Sequence, residues 1–241
     1  PDAAMSFDLP RNRVLPVDVV DVRLDSSPHP LERDNLQAID ENWRYETTIN
    51  PHVFDGRVAL LSELSYADGR LAGRCHIVRY ATFMYWRRHR RTPGAGHAFA
   101  HAMLVSSDNA LVAIRMGMHT VNAGRVYFAA GSFELEDFRD GKVDVDFNMH
   151  REVEEETGLD IHQASPARRY YLLSTESGTV IFRRYRMPMT ANAMVAAINA
   201  HVAAQANPEI AAPVVIHSAG DLPDDLASHM PPLIEWHFAN A

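Results

Sequence analysis

The spacing of apolar residues changes period along the chain, and the changes predict its elements. In Val14 to Leu24, VLPVDVVDVRL, apolar residues alternate with aspartates, which predicts a strand; Arg57 to Glu63, Arg70 to Ile77 and Ala81 to Trp86 predict further strands, and Leu36 to Arg44 a short helix. Residues 1–95 therefore read as a mostly β N-terminal extension or subdomain. Beyond them, Ala98 to Val105 and Ala110 to Met116 are apolar runs separated by the turn composition Ser106-Ser107-Asp108-Asn109, which predicts a hairpin. Arg125 to Ala130 predicts a strand, and Tyr170 to Ser174 and Thr179 to Met187 predict two more around Glu176-Ser177-Gly178. Thr190 to Gln205 carries Met194, Val195, Ile198 and Val202 at helical spacing, with Thr190 placed to cap it, and Val214 to His217 is a final strand. Strands, helix, strands, helix in that order predict an α+β domain over 96–241, a mixed sheet sandwiched between helices.

Between these strands lies REVEEETGL, Arg151 to Leu159. Met149 and Val153 are four residues apart, Gly158 is placed to close a helix in the left-handed conformation, and Leu159 can cover the end. The segment reads as the last turns of a helix, where the macrodipole favours Lys or Arg. Glutamates stand there instead. Glu152, Glu155 and Glu156 fall within about 100° of the helix circumference, so three carboxylates share one face and repel one another. A hard dication such as Mg²⁺, which takes oxygen ligands, reverses the sign of that cost. Arg151, four residues before Glu155, is placed to pair with it and hold its rotamer, while Glu154 points away and reads as solvated surface. The plainer reading is an acidic exposed helix end. Against it, the full pattern has a chance expectation on the order of 10⁻⁵ from average residue usage.

These residues resemble the second half of the Nudix box, RE, aliphatic, any residue, EE, any residue, G, aliphatic. The resemblance implies a Nudix-like α/β/α sandwich and a Mg²⁺-dependent hydrolase, with Mn²⁺ as an alternative ion, acting on a nucleoside diphosphate linked to another moiety. It implies Glu152, Glu155 and Glu156 as metal ligands and Arg151 as their orienting partner. Ala129-Ala130-Gly131 followed by Ser132-Phe133-Glu134 is similar to the family's glycine turn, which makes Gly131 the box glycine and places it at the metal site. About six residues are then extra, centred on the polar turn Phe138-Arg139-Asp140-Gly141-Lys142. That insertion leaves Glu134, Asp137 and Asp144 as competing candidates for the remaining acidic positions. Such enzymes often carry a further acid after the box, as metal ligand or general base, and Glu209 in NPEI occupies a similar place; its other reading is the N-terminus of a turn after Pro208. Asn50 to Gly56, NPHVFDG, resembles the N-terminal extension of the UDP-sugar-hydrolysing members, which implies a nucleotide sugar or ADP-ribose-type substrate and a role in completing a nucleotide pocket or a homodimer interface. The alternative class is a non-catalytic ligand-sensing or protein-interaction module, in which the metal-binding glutamates are commonly degraded; here all three stand.

Composition bounds these readings. A chain of 241 residues with 46% hydrophobic content can bury one large core or two modest ones. It has no run of eighteen apolar residues, and PDAAMSFDLPRNR lacks the core of a secretory signal, so a soluble, cytoplasmic protein without membrane contact is expected. The single cysteine, Cys75, excludes an internal disulfide and a thiolate metal cluster. A net charge of −8 argues against nucleic acid as a partner, yet a local basic pocket remains compatible with a nucleotide. Arg87-Arg88-His89-Arg90-Arg91 reads either as a solvated loop or as a guanidinium clamp on a diphosphate. Arg183, Arg184 and Arg186 raise the same question on a strand. The thirteen histidines show no tight ligand spacing and read as ordinary core or surface residues; His150, next to Arg151, is left out of the site.

Overall fold

The computed structural model describes residues 7–90 and 92–241. In chain order the first elements are β1 (Phe7–Asp8), β2 (Val14–Val17), β3 (Val19–Leu24), α1 (Pro30–Asp34), α2 (Leu36–Ile49), β4 (Arg57–Ala67), β5 (Arg70–Arg79) and α3 (Tyr80–Arg88). Then come β6 (Ala98–Val105), β7 (Leu111–Met116), β8 (Val126–Tyr127), β9 (Phe138–Arg139), β10 (Lys142–Val143), α4 (Val145–Thr157) and β11 (Ser165–Pro166). The chain ends with β12 (Tyr170–Thr175), β13 (Gly178–Arg186), α5 (Ala191–Ala204), β14 (Ile210–Ile216) and α6 (Met230–Ala239). The fold is α+β, with two mixed sheets. One runs β1-β4-β5-β3-β10-β9, with β1/β4 and β3/β5 parallel; the other runs β14-β7-β6-β13-β12-β2, with β6/β13 parallel, and takes β8 on β7 and β11 on β13.

The stretch VLPVDVVDVRL, expected as one strand, is two strands in different sheets. At its break the backbone N–H groups of Asp18 and Val19 both donate to the Gly69 carbonyl, at 2.8 and 3.2 Å. Pro16 lacks a ladder donor and lies in β2, the edge strand, where that loss is tolerated. A second expectation is corrected outright: Ala81 to Trp86 is helix, not strand. Asp55 accepts the Ala81 N–H at 2.9 Å in the first turn of α3, and Ala81, Phe83, Met84 and Trp86 are buried. A short apolar run has no period that separates helix from strand, and docking of Phe83, Met84 and Trp86 into the smaller apolar cluster decided it. With α1 and α2, the described residues up to 95 thus carry three α-helices as well as their strands.

The apolar interior is shared across the chain. Val17, Val22 and Leu61 belong to the same cluster as Met103, Ile114, Phe128, Met149 and Phe182, and a smaller cluster joins Leu31, Val58, Leu60, Phe83 and Trp86. The polar turn after Phe138 is a tight hairpin whose central residues, Asp140 and Gly141, both have positive φ, 52° and 72°, as a two-residue loop between twisted strands requires. Lys142 pairs with Arg23, so the insertion extends the first sheet beside β3. No helix among the described residues is long and apolar enough to cross a membrane.

Candidate active site

Helix α4 is fixed at both ends by its own sequence. The Asp144 carboxylate accepts the Phe147 N–H at 3.0 Å as N-cap, and Gly158 closes the helix at φ 71°, its N–H bonded to the Glu154 carbonyl. Met149, Val153 and Leu159 are buried, so rotation about the helix axis is set. That rotation turns Glu152 and Glu156 inward, to 8% and 5% exposure, and leaves Glu154 and Glu155 in solvent.

Each carboxylate of the trio has a different partner. Glu156 Oε2 accepts the Ala130 N–H at 3.0 Å, in the glycine turn. Arg151 lies 2.8 Å from Glu152 and 3.2 Å from Glu155, and its guanidinium also reaches fully buried Asp137 at 3.1 Å. Gly131 and Glu152 approach closely: a Cβ on Gly131 would overlap the Glu152 carboxylate where it now lies. Among the described residues no three His, Cys, Asp or Glu side chains converge closely enough to hold an ion as they stand. Arg151 bridges Glu152 and Glu155, while the Ala130 amide holds Glu156.

The electrostatics nevertheless suit a dication. Burial pushes the Glu152 carboxyl up to about 8; Arg151 opposes the shift, and Glu155, Asp137 and Glu134 add to it. Burial likewise raises Glu156 well above the usual carboxylate range, assisted by Glu152 and Glu209. For Arg151, desolvation is outweighed by the Asp137 hydrogen bond and the charges of Glu152, Asp137 and Glu155, so its charge is reinforced. The donor set is all oxygen and mutually repulsive, with Glu152 and Glu156 desolvated and Glu155 exposed, which fits a hard dication such as Mg²⁺.

The competing acids separate cleanly by position. Asp137 accepts the Glu134 N–H at 2.8 Å and Asn148 Nδ2 at 3.0 Å besides pairing with Arg151, so it ties the turn to α4. Asp144 is spent as a helix cap. Glu134 and Glu209 both line a cleft of about 710 Å³, whose floor includes Ala130, Gly131 and Ser132. Glu209 is exposed, and its backbone carbonyl accepts the Gly117 N–H at 2.8 Å, which fixes the start of β14 against the loop after β7.

One wall of that cleft is aromatic, with Tyr80, Phe83, Trp86, Phe99 and Tyr127, and Arg57, Arg87, Arg90 and Arg125 stand around it. The arginine run is therefore divided. Arg87 donates to Asn122 Oδ1 at 2.8 Å and Arg90 to Ser177 Oγ at 3.0 Å, both on the cleft, whereas Arg88 packs over Tyr45 and bonds Asn42. Arg91 lies outside the described residues. Arg183 is spent on Asp146 and the Ala167 carbonyl, Arg184 on Trp236 and Arg186 on Asn109, so none of these three lines the cleft. The segment Asn50 to Gly56 does reach it, through His52, Val53, Phe54 and Gly56, with Phe54 81% exposed at the rim.

Three histidines that sequence reading left in the background also line it. His101 Nε2 and His229 Nε2 are 2.8 Å apart in stacked rings, and His97 Nε2 is 3.2 Å from Ser132 Oγ. Burial holds His97 down to about 3 and His229 to about 4, so these rings are neutral aromatic walls near neutral pH. No spacing could have shown this grouping, because His229 comes from the far end of the chain. His150 instead meets His162, Nδ1 to Nδ1 at 3.2 Å, away from the cleft.

No family model and no curated protein matches the chain. Among solved structures, it is similar to a MutT protein from Methanosarcina mazei at 15% identity and TM-score 0.37, over 58% of this chain and 91% of that one. It is also similar to the protein DR0079 from Deinococcus radiodurans, at 13% identity and TM-score 0.42, over 75% and 98% of the two chains. A third similar structure is the NUDIX domain of Shewanella oneidensis NrtR complexed with ADP ribose, at 11% identity and TM-score 0.31, over 51% and 73%.

Proposed function

We propose that the protein is a Nudix-type, Mg²⁺-dependent hydrolase that cleaves the diphosphate of a nucleoside diphosphate joined to another moiety. The observation that carries this reading is the packing of Glu152 and Glu156 against the glycine turn that floors an arginine-rimmed, aromatic-walled cleft. Glu152, Glu155 and Glu156 are the residues that would hold the ion, Mg²⁺ or Mn²⁺. When bound, such an ion acidifies a water and neutralises charge on the leaving phosphate.

The chain's own residues supply the rest. Arg87 and Arg90 carry planar donors into the cleft, suited to a diphosphate, and among the described residues neither pairs with a carboxylate. The aromatic wall gives a nucleobase a stacking surface. Arg151 positions Glu155 and Glu152. Glu155, exposed at the end of α4, or Glu209, which lines the cleft, takes the proton of the attacking water. The products are a nucleoside monophosphate and a phosphorylated partner.

The test is phosphate-bond cleavage over nucleotide sugars, ADP-ribose, dinucleoside polyphosphates and nucleoside triphosphates, with and without Mg²⁺. Turnover that needs Mg²⁺ and falls roughly 10²–10⁴-fold in Glu155→Gln supports the reading. Unaltered turnover in that variant contradicts the site assignment, and metal-independent binding without turnover supports a sensing module instead.

A further inference from the structure

The proposed hydrolysis leaves one buried titratable pair of the cleft unused, His101 and His229. His97, Phe99 and His101 alternate with buried alanines at the start of β6, and all three line the cleft. His229 comes to them from the loop between β14 and α6, which docks on β8: the Val126 N–H donates to the Asp225 carbonyl at 2.9 Å and the Ala227 N–H to the Val126 carbonyl at 3.0 Å. Phe99 meets both imidazoles edge-on, with its centroid 5.2 Å from His101 and 5.1 Å from His229.

Burial keeps both rings neutral near neutral pH, so each carries one ring hydrogen. At 2.8 Å the Nε2···Nε2 contact holds one of these two, because none would set lone pair against lone pair and two would set hydrogen against hydrogen. The other hydrogen then sits on an Nδ1. When His101 donates across the contact, His229 Nδ1 bears it; when His229 donates, His101 Nδ1 bears it and His229 Nδ1 is bare. A histidine's tautomer is ordinarily fixed by the bond that its other nitrogen makes. His101 Nδ1 is buried and has no partner among the described residues, so nothing at the inner end fixes the choice. His229 is part-exposed on the cleft, and its one hydrogen bond there is the Nε2 contact. The tautomer is thus left to the group that meets His229 Nδ1.

We propose that His101 and His229 form a tautomeric pair that reads the exocyclic group of a nucleobase through His229 Nδ1, donating to an oxo group and accepting from an amino group, so that the cleft takes both kinds of base alike. Passing between the forms moves one hydrogen along the Nε2···Nε2 line, while one Nδ1 gives its hydrogen to water and the other takes one; net charge is unchanged. The inference rests on the reading of the aromatic wall as a nucleobase site, and its test separates the two. Protein whose histidines carry the heavy nitrogen isotope is titrated with AMP and with IMP, an amino and an oxo base on the same ribose phosphate, in the presence of Mg²⁺. Ring-nitrogen resonances, assigned through His101→Phe and His229→Phe, report which nitrogens bear hydrogen. The expected result is a bare His229 Nδ1 with AMP and a hydrogen-bearing one with IMP, with His101 Nδ1 the reverse. Calorimetry is expected to give affinities for the two within about threefold of each other, and His229→Phe to weaken both by a similar factor of roughly three- to tenfold, the worth of one hydrogen bond. Should a variant fail to fold, the opposite change of two Nδ1 signals between the AMP and IMP spectra of the unmodified protein decides. The same tautomer in both complexes, no response of either ring, or a preference above about tenfold for one nucleotide overturns the pair. Tautomer reversal without Mg²⁺-dependent turnover retains the pair and overturns the hydrolase, and Mg²⁺-dependent turnover with one tautomer throughout does the opposite.

Discussion

At the scale of single residues, two side chains hold the site in opposite ways. Asp137 is fully buried and satisfies three donors at once, the Arg151 guanidinium, Asn148 Nδ2 and the Glu134 N–H. Removing one partner of a buried charge leaves the other uncompensated, which costs more than the pair contributes. Asp137→Ala is therefore expected to lose about 3–5 kcal/mol in urea denaturation, and Asp137→Asn distinctly less because it still accepts hydrogen bonds. An unchanged midpoint in Asp137→Ala would show that Arg151 has another anchor. Gly131→Ala tests the opposite kind of constraint. Gly131 lacks the left-handed backbone that would penalise alanine, and the atoms its Cβ meets are the far end of the Glu152 side chain, which can swing aside. The expected outcome is a stability change under about 1.5 kcal/mol with a marked loss of Mg²⁺ affinity and turnover, because the displaced atoms are the carboxylate itself. A large fall in stability with activity retained would contradict it.

At the scale of elements, α4 was legible in sequence because its signals are local: Gly158 at its end, Met149 and Val153 on one face, and glutamates where stability disfavours them. The structure adds the Asp144 cap, which explains why that acid is not at the site. Gly158 has φ 71°, and a Cβ there would lie 2.6 Å from His201 Nδ1. Gly158→Ala is expected to cost about 1–2 kcal/mol from the left-handed conformation, read as a lowered denaturation midpoint; no change would mean that the helix end rearranges freely. What was illegible is non-local. Nothing within VLPVDVVDVRL says that Val14–Val17 joins β12 while Val19–Leu24 joins β5, since each pairing is decided by a partner distant in sequence. The apolar run at Ala81 has no decisive period, and only the docking of Phe83 and Trp86 makes it a helix. Of the arginines, Arg87 and Arg90 reach the cleft and Arg183 does not, a difference set by Asp146, 37 residues away from Arg183 in sequence.

At the scale of the whole molecule, two sets of buried titratable groups pull stability in opposite directions as pH changes. Burial lowers His29, His97, His101, His229 and His237, which lie on segments from residue 29 to residue 237. A histidine with a depressed folded pKa is protonated first in the unfolded chain. Its stabilising effect is full above about pH 6.5 and is lost as pH falls towards the folded value. His237, 2% exposed and held at about 4, loses about 2 kcal/mol between pH 7 and pH 5. Glu134, Glu152 and Glu156 are shifted upward, so the folded state binds their protons first and gains stability over the same descent. For Glu152, held at about 8, that gain is about 2 kcal/mol without bound metal. Metal-free protein is therefore expected to lose less stability from pH 7 to pH 5 than its histidines alone dictate. His237→Gln, which removes a destabilising protonation, should flatten the descent further, whereas Glu152→Gln, which removes a stabilising one, should steepen it. Urea denaturation midpoints of the three proteins at the two pH values check the argument. If Glu152→Gln flattened the descent instead, the carboxylate would be ionised in the folded state throughout, with the Arg151 ion pair outweighing its burial.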